Sequence, residues 1–389
     1  MKFQYLFSSP RGDIPVAGEE LDRSLHVNLA ETHPTLALRD YFESIKELLL
    51  GDNAKILTSV IAEGFAKKLT SDRIATVEIR CEKVGTLYHV ASLTLRCEGE
   101  SLKLCVTTAI TDEAIHCLER EASCLVFLAE RYHLTCLPRV FCKGEVVRHT
   151  SRGNATLSHS LQEWFEDYHE WHLSLDDSER QQITVWDMGK GYRTFSLEEG
   201  CEIHRQAVKI LTFCYDFRTG RQINPWSHAA GDFIVKVDER SFSVRLTTVR
   251  GYEPITLFKG ERFFDPLIRI IYFFLDLTVR MRLDRLDGTG SVLWAESSIL
   301  HPVVSGFFDA LSSREVQDRY PDGDRERIRE SLKSFTEDKI RTFLLSLLDQ
   351  FSGEEKGVVE KHLKEHARDL VYTMRNVSYE WSVNGVFHK

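Results

Sequence analysis

Between Ile74 and Tyr132 the spacing of apolar residues changes once, and that change constrains the fold more than any other feature of the chain. In "IATVEIRCE" Val77, Ile79 and Cys81 alternate with Glu78 and Arg80, and in "HVASLTLRC" Ala91, Leu93, Leu95 and Cys97 alternate with Ser92, Thr94 and Arg96. A period of two sets one face of a strand on a core and the other toward water. "SLKLCVTTA" makes a third strand, and the connections "EKVGTLYH" and "EGES" are short enough for antiparallel hairpins. The period then becomes helical in "TDEAIHCLEREASCLVFLAERY", where Ile115, Leu118, Ala122, Leu125 and Ala129 form one stripe. Thr111 can cap this helix, with Asp112 and Glu113 favourably placed in its first turn.

The flanks extend this pattern. A chain of 389 residues, 42% hydrophobic, is long enough for more than one core, and two lobes with appendages are expected. Residues 1–71 carry two helical patterns, "PTLALRDYFESIKELLL" and "NAKILTSVIAEGFAKKL", and read as an N-terminal helical extension. Residues 72–173 read as a sheet-rich lobe closed by the strand-like "LPRVFCKGEVVR" and "ATLSHSLQEWFEDYHEWHLS". After a polar linker at about 174–195, "SLEEGCEIHRQAVKILTFCYDF" opens with Ser196 and Glu199 in capping-box spacing. A mostly helical lobe follows to residue 315, interrupted by the strands "DFIVKV" and "FSVRLTTV" around the turn "DERS". Residues 316–389, charge-rich and including the amphipathic "IRTFLLSLLDQF", read as a C-terminal helical extension. The expected class is α+β.

A net charge of −9 gives no broad basic face, so neither nucleic acid nor a membrane surface is expected as a partner. The start, "MKFQYLFSSPRGDIPVAGEE", lacks the basic-then-apolar pattern of a secretory signal, and a cytoplasmic location is expected. "PLIRIIYFFLDLTVRM" carries Arg269, Asp276 and Arg280 and falls short of the roughly 20 clean apolar residues of a spanning helix, so it reads as a buried core helix. Nine cysteines without a C-x-x-C pair read as reduced core thiols. "YHEWH" is one residue short of the H-E-x-x-H zinc pattern, and P-loop, G-x-G-x-x-G and G-x-S-x-G motifs are absent from the sequence.

The order of elements over about 72–315 resembles the two-lobed, protein-kinase-like fold of the aminoglycoside phosphotransferase and choline kinase superfamily, whose members place ATP between a sheet-rich and a helical lobe. "SLKLCV" followed by "LEREASCLVFL" is similar to the strand and helix whose Lys and Glu pair at the nucleotide phosphates; here they would be Lys103 and Glu121, with Glu119 a rival. "LPRVFCKGEVV" and "LSHSLQEWFEDYH" are similar to the strands entering the interlobe hinge, with Trp164, Phe165 and Glu166 at it. "CEKVGTLYHV", with Gly85, stands where a loop would cover the phosphates. "PWSHAAGDFIVKV" resembles the catalytic loop and the short apolar strand that follows it. On that likeness Asp232 stands at the metal-ligating position and could hold Mg²⁺, with Ser227 and His228 in the active-site loop.

The chain departs from the family pattern at two places that matter chemically. Ser227 occupies the position of the catalytic Asp, and Thr248 that of the second metal-binding Asp, with Glu253 the nearest acid beyond it. A shifted register would make Asp232 the base and Asp238 or Glu239 a metal ligand. His228 could orient a phosphate or move a proton, or its ring could simply fix the loop through backbone. Asp265 sits where the superfamily often carries a structural acid. Two functions follow as expectations: an ATP- and Mg²⁺-dependent phosphotransferase acting on a small-molecule hydroxyl, or a catalytically inactive pseudokinase serving as a binding or scaffold module for a protein partner.

Overall fold

The computed structural model describes residues 1–9, 11–28, 30–64, 71–97, 99–151, 153–187, 190–228, 231–239, 241–255, 265–313, 316, 319–320, 323–351 and 353–377. The chain is α+β and divides into two compact units, one of Met1–Glu130 with Pro138–Glu166, the other of Arg131–Leu137 with Asp167–Lys389. No helix among the described residues is long and apolar enough to cross a membrane.

The first unit contains β1 (Lys2–Phe7), β2 (Ile14–Pro15), β3 (Ser24–His26), β4 (Thr32–Ala37), α1 (Leu38–Gly64), β5 (Thr76–Val84), β6 (His89–Cys97), β7 (Glu100–Ala109), most of α2 (Asp112–Tyr132), β8 (Val140–Thr150) and β9 (Gly153–Glu163). Its seven-stranded sheet has the order β2-β1-β5-β6-β7-β9-β8. The meander β5-β6-β7 forms as its alternation dictates, with Leu93 opposite both Ile79 and Leu104. These residues, with Val77, Leu95, Val106 and Leu161, make a core closed by Tyr41, Phe42, Ile45 and Leu57 of α1. Burying each such aliphatic side chain contributes about 1.5–3 kcal/mol.

Residues 1–71, expected as a helical extension, instead supply part of this sheet. In "KFQYLF" Phe3, Tyr5 and Phe7 alternate with polar Lys2 and Gln4 and pack against the core, Tyr5 stacking on Phe42 at 4.7 Å. β1 pairs parallel with β5, Lys2 opposite Thr76, which makes the sheet mixed. The two helical patterns run together as α1, whose backbone turns left-handed at Asp52 and Ala54. The last residues of the second pattern, from 65 on, lie outside the described residues.

The second unit contains β10 (His169–Leu175), β11 (Gln181–Val185), β12 (Arg193–Ser196), α3 (Cys201–Phe213), β13 (Arg221–Ile223), β14 (Phe233–Asp238), β15 (Ser241–Leu246), β16 (Tyr252–Pro254), α4 (Pro266–Arg280), β17 (Leu283–Arg285), β18 (Val292–Trp294), α5 (Leu300–Ser312), α6 (Asp324–Lys333), α7 (Glu337–Leu347) and α8 (Gly353–Asn376). The stretch read as a linker at 174–195 contains the strands β11 and β12, because Ile183 and Val185 give it a buried face despite its polar composition. They extend a five-stranded sheet of order β12-β11-β10-β14-β15. β10, read as part of the sheet-rich lobe, therefore belongs to this unit, as do the helices beyond 316.

Ser196 and Glu199 make the reciprocal bonds of a capping box, Ser196 N donating to Glu199 Oε2 at 2.9 Å and Glu199 N to Ser196 Oγ at 3.2 Å, in the turn ahead of α3, whose own N-cap is Gly200. α4 starts at the N-cap Asp265, which accepts from Leu267 N at 2.9 Å with Pro266 behind it. Ile270 to Val279 are buried without a break, as the apolar run requires, and the charge of Asp276 is met by Arg280 one turn on, at 2.8 Å.

Candidate functional site

Strand pairs hold segment 224–232 at both ends. Ahead of it β13 pairs with β16, Ile223 opposite Tyr252, and Asn224 N donates to Gly251 O at 3.1 Å. Behind it β14 and β15 form the expected hairpin, Phe233 opposite Leu246. Thr247 N then donates to Asp232 O at 2.8 Å, which brings the residues after β15 back over the end of the loop.

Asp232 is the centre of the arrangement. Its side chain is 0% exposed; it accepts from Ser227 N at 2.8 Å, and both carboxylate oxygens accept from the guanidinium of Arg250 in a two-pronged pair. A buried carboxylate stays charged only if its lone pairs are met, and the planar fork of an arginine meets both oxygens at once. A Mg²⁺ ion at this position would need an oxygen of the same carboxylate, and both oxygens already accept from Arg250. As folded, the residues do not fit a divalent cation: Arg250 supplies the positive charge and Ser227 contributes a backbone N–H where a base would stand. Among the described residues no group of three or more His, Cys, Asp or Glu is arranged to hold a metal ion.

Gly231 explains why the loop can close as tightly as it does. Its φ is +70°, and a Cβ there would stand 2.7 Å from Glu170 Oε1 on β10. The left-handed backbone favours glycine, and a side chain there would also have to displace the Glu170 carboxylate. Ala229 and Ala230, the other small residues of the stretch, lie outside the described residues.

His228 is 3% exposed, and aromatic rings surround it: Trp171 at 4.8 Å between centroids, Trp226 at 5.5 Å, Phe233 at 5.6 Å and His204 at 6.0 Å. Burial first, then the neighbouring His204 and His172, push its pKa well below the ordinary imidazole range. Burial alone takes His204 down to about 4. A neutral, buried ring of this kind is placed to anchor the loop.

The structure sets the other sequence-derived positions as follows. Lys103 on β7 holds its ammonium 4.1 Å from the ring centroid of Trp164, and no ion pair joins it to Glu121 among the described residues. Glu121 on α2 is buried at 6% exposure and its rival Glu119 is exposed. Gly85 closes the β5–β6 turn, its N–H donating to Tyr88 O at 2.8 Å, and Leu87 and Tyr88 of that turn pack on Ala114 and Leu118 of α2. Lys103, Glu121 and Gly85 thus fall in one unit, and Ser227, His228 and Asp232 in the other.

Thr248 lies in hydroxyl contact with Thr247 at 3.4 Å, and Glu253 faces water beside Arg221. Asp238 and Glu239 are at the opposite end of β14 from Asp232, about 20 Å away at ~3.3 Å per residue, so they cannot share an ion with it. His169 and His172 lie on a strand, where a spacing of three puts them on opposite faces; they meet Asp187 at 3.5 Å and Asp284 at 3.3 Å respectively.

Three residues that complete this site were not singled out from sequence: Arg250, Glu170 and His204. Arg250 is the one charged residue between Leu246 and Tyr252, but its spacing does not tie it to Asp232. Comparison with known proteins adds no relative: no protein-family model matches the chain, and no curated protein matches it.

Proposed function

We propose that the chain is a kinase-like protein of the aminoglycoside phosphotransferase type whose catalytic-loop segment has become a structural ion-pair centre, and that it works as a pseudokinase, a binding or scaffold module for a protein partner. The order of elements supports this reading. A three-stranded meander is followed by a helix, then by a hairpin whose second strand, β9, returns beside β7; α3, the loop and the β14–β15 hairpin come after.

One observation carries the functional half of the proposal, the two-pronged pairing of buried Asp232 with Arg250. Phosphoryl transfer depends on positioning and charge neutralisation, which need carboxylates free to take metal ions and a proton. The single carboxylate of the loop is already neutralised from within the chain. The alternative, ATP-dependent transfer to a small-molecule hydroxyl, would require Arg250 to leave and a second acid to arrive.

The test is a titration with Mn²⁺, a paramagnetic stand-in for Mg²⁺, in the presence of ATP, read by electron paramagnetic resonance. The expected result is no bound Mn²⁺ beyond that held by ATP alone. A saturable bound population that Asp232→Asn abolishes would overturn the proposal.

A further inference from the structure

Three ring side chains from three parts of the second unit meet in its interior: Trp171 of β10, His204 of α3 and His228 of the loop. Their exposures are 1%, 1% and 3%. The ring centroids are 5.2 Å apart for Trp171 and His204, 4.8 Å for Trp171 and His228, and 6.0 Å for the two histidines. Trp226 and Phe233 wall the cluster with apolar rings. Four polar atoms in it, Trp171 Nε1, His204 Nδ1, His228 Nδ1 and His228 Nε2, have no hydrogen-bond partner among the described residues.

Buried polar groups in folded proteins are satisfied by protein or by ordered water, and four orphans on three touching side chains are far more than such a small volume normally carries. The two imidazoles do not satisfy each other, since their planes are 70° apart in an edge-to-face contact. The kind of partner follows from the mixture of groups. Trp171 Nε1 is a donor only, and a neutral His228 presents one donor and one acceptor. An anion would face the imidazole lone pair, and a cation would face two N–H groups. A neutral molecule that both donates and accepts, such as water, suits every atom.

We infer that the Trp171–His204–His228 cluster is an internal water-binding site, in which one or more ordered waters bridge the loop to β10 and α3. His228 then acts as a positioning residue: through water it fixes the middle of the loop, next to Ser227, without touching any reacting group. This holds whether or not the protein transfers phosphoryl groups, so it stands apart from the reading of Asp232.

The experiment uses the unaltered full chain. A high-resolution crystal structure is expected to show ordered water within about 2.7–3.2 Å of at least two of the four nitrogens. Long-range ¹⁵N–¹H spectra near neutral pH are expected to show both His228 ring nitrogens shifted as hydrogen-bonded atoms of a neutral ring. In His228→Phe the ordered water nearest residue 228 should be lost. A dry cluster in the crystal, nitrogens bonded directly to protein groups, or ¹⁵N shifts of a bare imidazole would each overturn the inference. If the variant does not fold, the two wild-type measurements decide alone.

Discussion

Replacing Arg250 by methionine keeps the length and apolar stem of the side chain and removes its charge, leaving the buried carboxylate of Asp232 without this counter-charge. Breaking a buried pair by deleting one member costs about 3–5 kcal/mol, because the surviving charge stays desolvated. The lower end applies here, since Ser227 N–H remains at 2.8 Å and the Arg250 side chain is 25% exposed. A loss of about 3 kcal/mol lowers the folding equilibrium constant roughly a hundredfold. Urea denaturation followed by tryptophan fluorescence reads it, with Trp171 and Trp226 buried near the loop as reporters. Asp232→Asn in the Arg250→Met background removes the orphaned charge while keeping an acceptor for Ser227, and should recover much of the loss. A single-variant cost below about 1 kcal/mol, the range of an exposed ion pair, would refute the claim that Asp232 is a desolvated charge held by Arg250.

Other consequences are as direct. Burial lowers the pKa of His89 and His204 to about 4 and of His159 to about 3, and drives His228 and His366 well down, so in acid the unfolded chain takes up protons that the folded chain refuses. Stability is complete above about pH 7 and falls below ~6.5 by up to about 1.4 kcal/mol per histidine per pH unit; a flat profile between about pH 7 and 5 would contradict these burials. Gly231→Ala should destabilise by about 1–2 kcal/mol, the cost of a left-handed residue; an unchanged urea midpoint would contradict a left-handed backbone at residue 231. In α8, His366 donates from Nε2 to Thr278 Oγ1 at 3.0 Å, because that hydroxyl already donates to Leu275 O at 2.8 Å, and so Nδ1 accepts from Arg282 at 3.3 Å. His366→Leu leaves a buried guanidinium donor unmet at a cost of about 1–3 kcal/mol, and hydrogen exchange should find α8 deprotected before α4.

What could be read from sequence was whatever local periodicity encodes. Alternation in β5 to β7 and β14 to β15, the helix α2, and the Ser196–Glu199 box each rest on neighbours a few residues apart, and the structure builds each of them, although α2 buries Ala114 and Leu128 more fully than Ile115 and Ala129 of the expected stripe. The alternation in "KFQYLF" was equally local, yet its meaning depends on a parallel partner more than 70 residues away, at Thr76. β11 escaped notice because only Ile183 and Val185 of a polar stretch face a core. The candidate site was half legible. "SHAAGD" drew attention to the segment that holds buried Asp232, whereas Arg250 acts on Asp232 from 18 positions downstream, beyond a hairpin, and no spacing rule assigns an arginine to one carboxylate over another.

Arg250 neutralises Asp232 from within the chain, in the position a metal ion would need. Calorimetric titration of the full chain with ATP, with and without Mg²⁺, tests it most directly. Mg²⁺ is expected to add nothing to whatever heat ATP alone produces, and Asp232→Asn to leave the titration unchanged. Binding that appears only with Mg²⁺ and disappears in Asp232→Asn would contradict it.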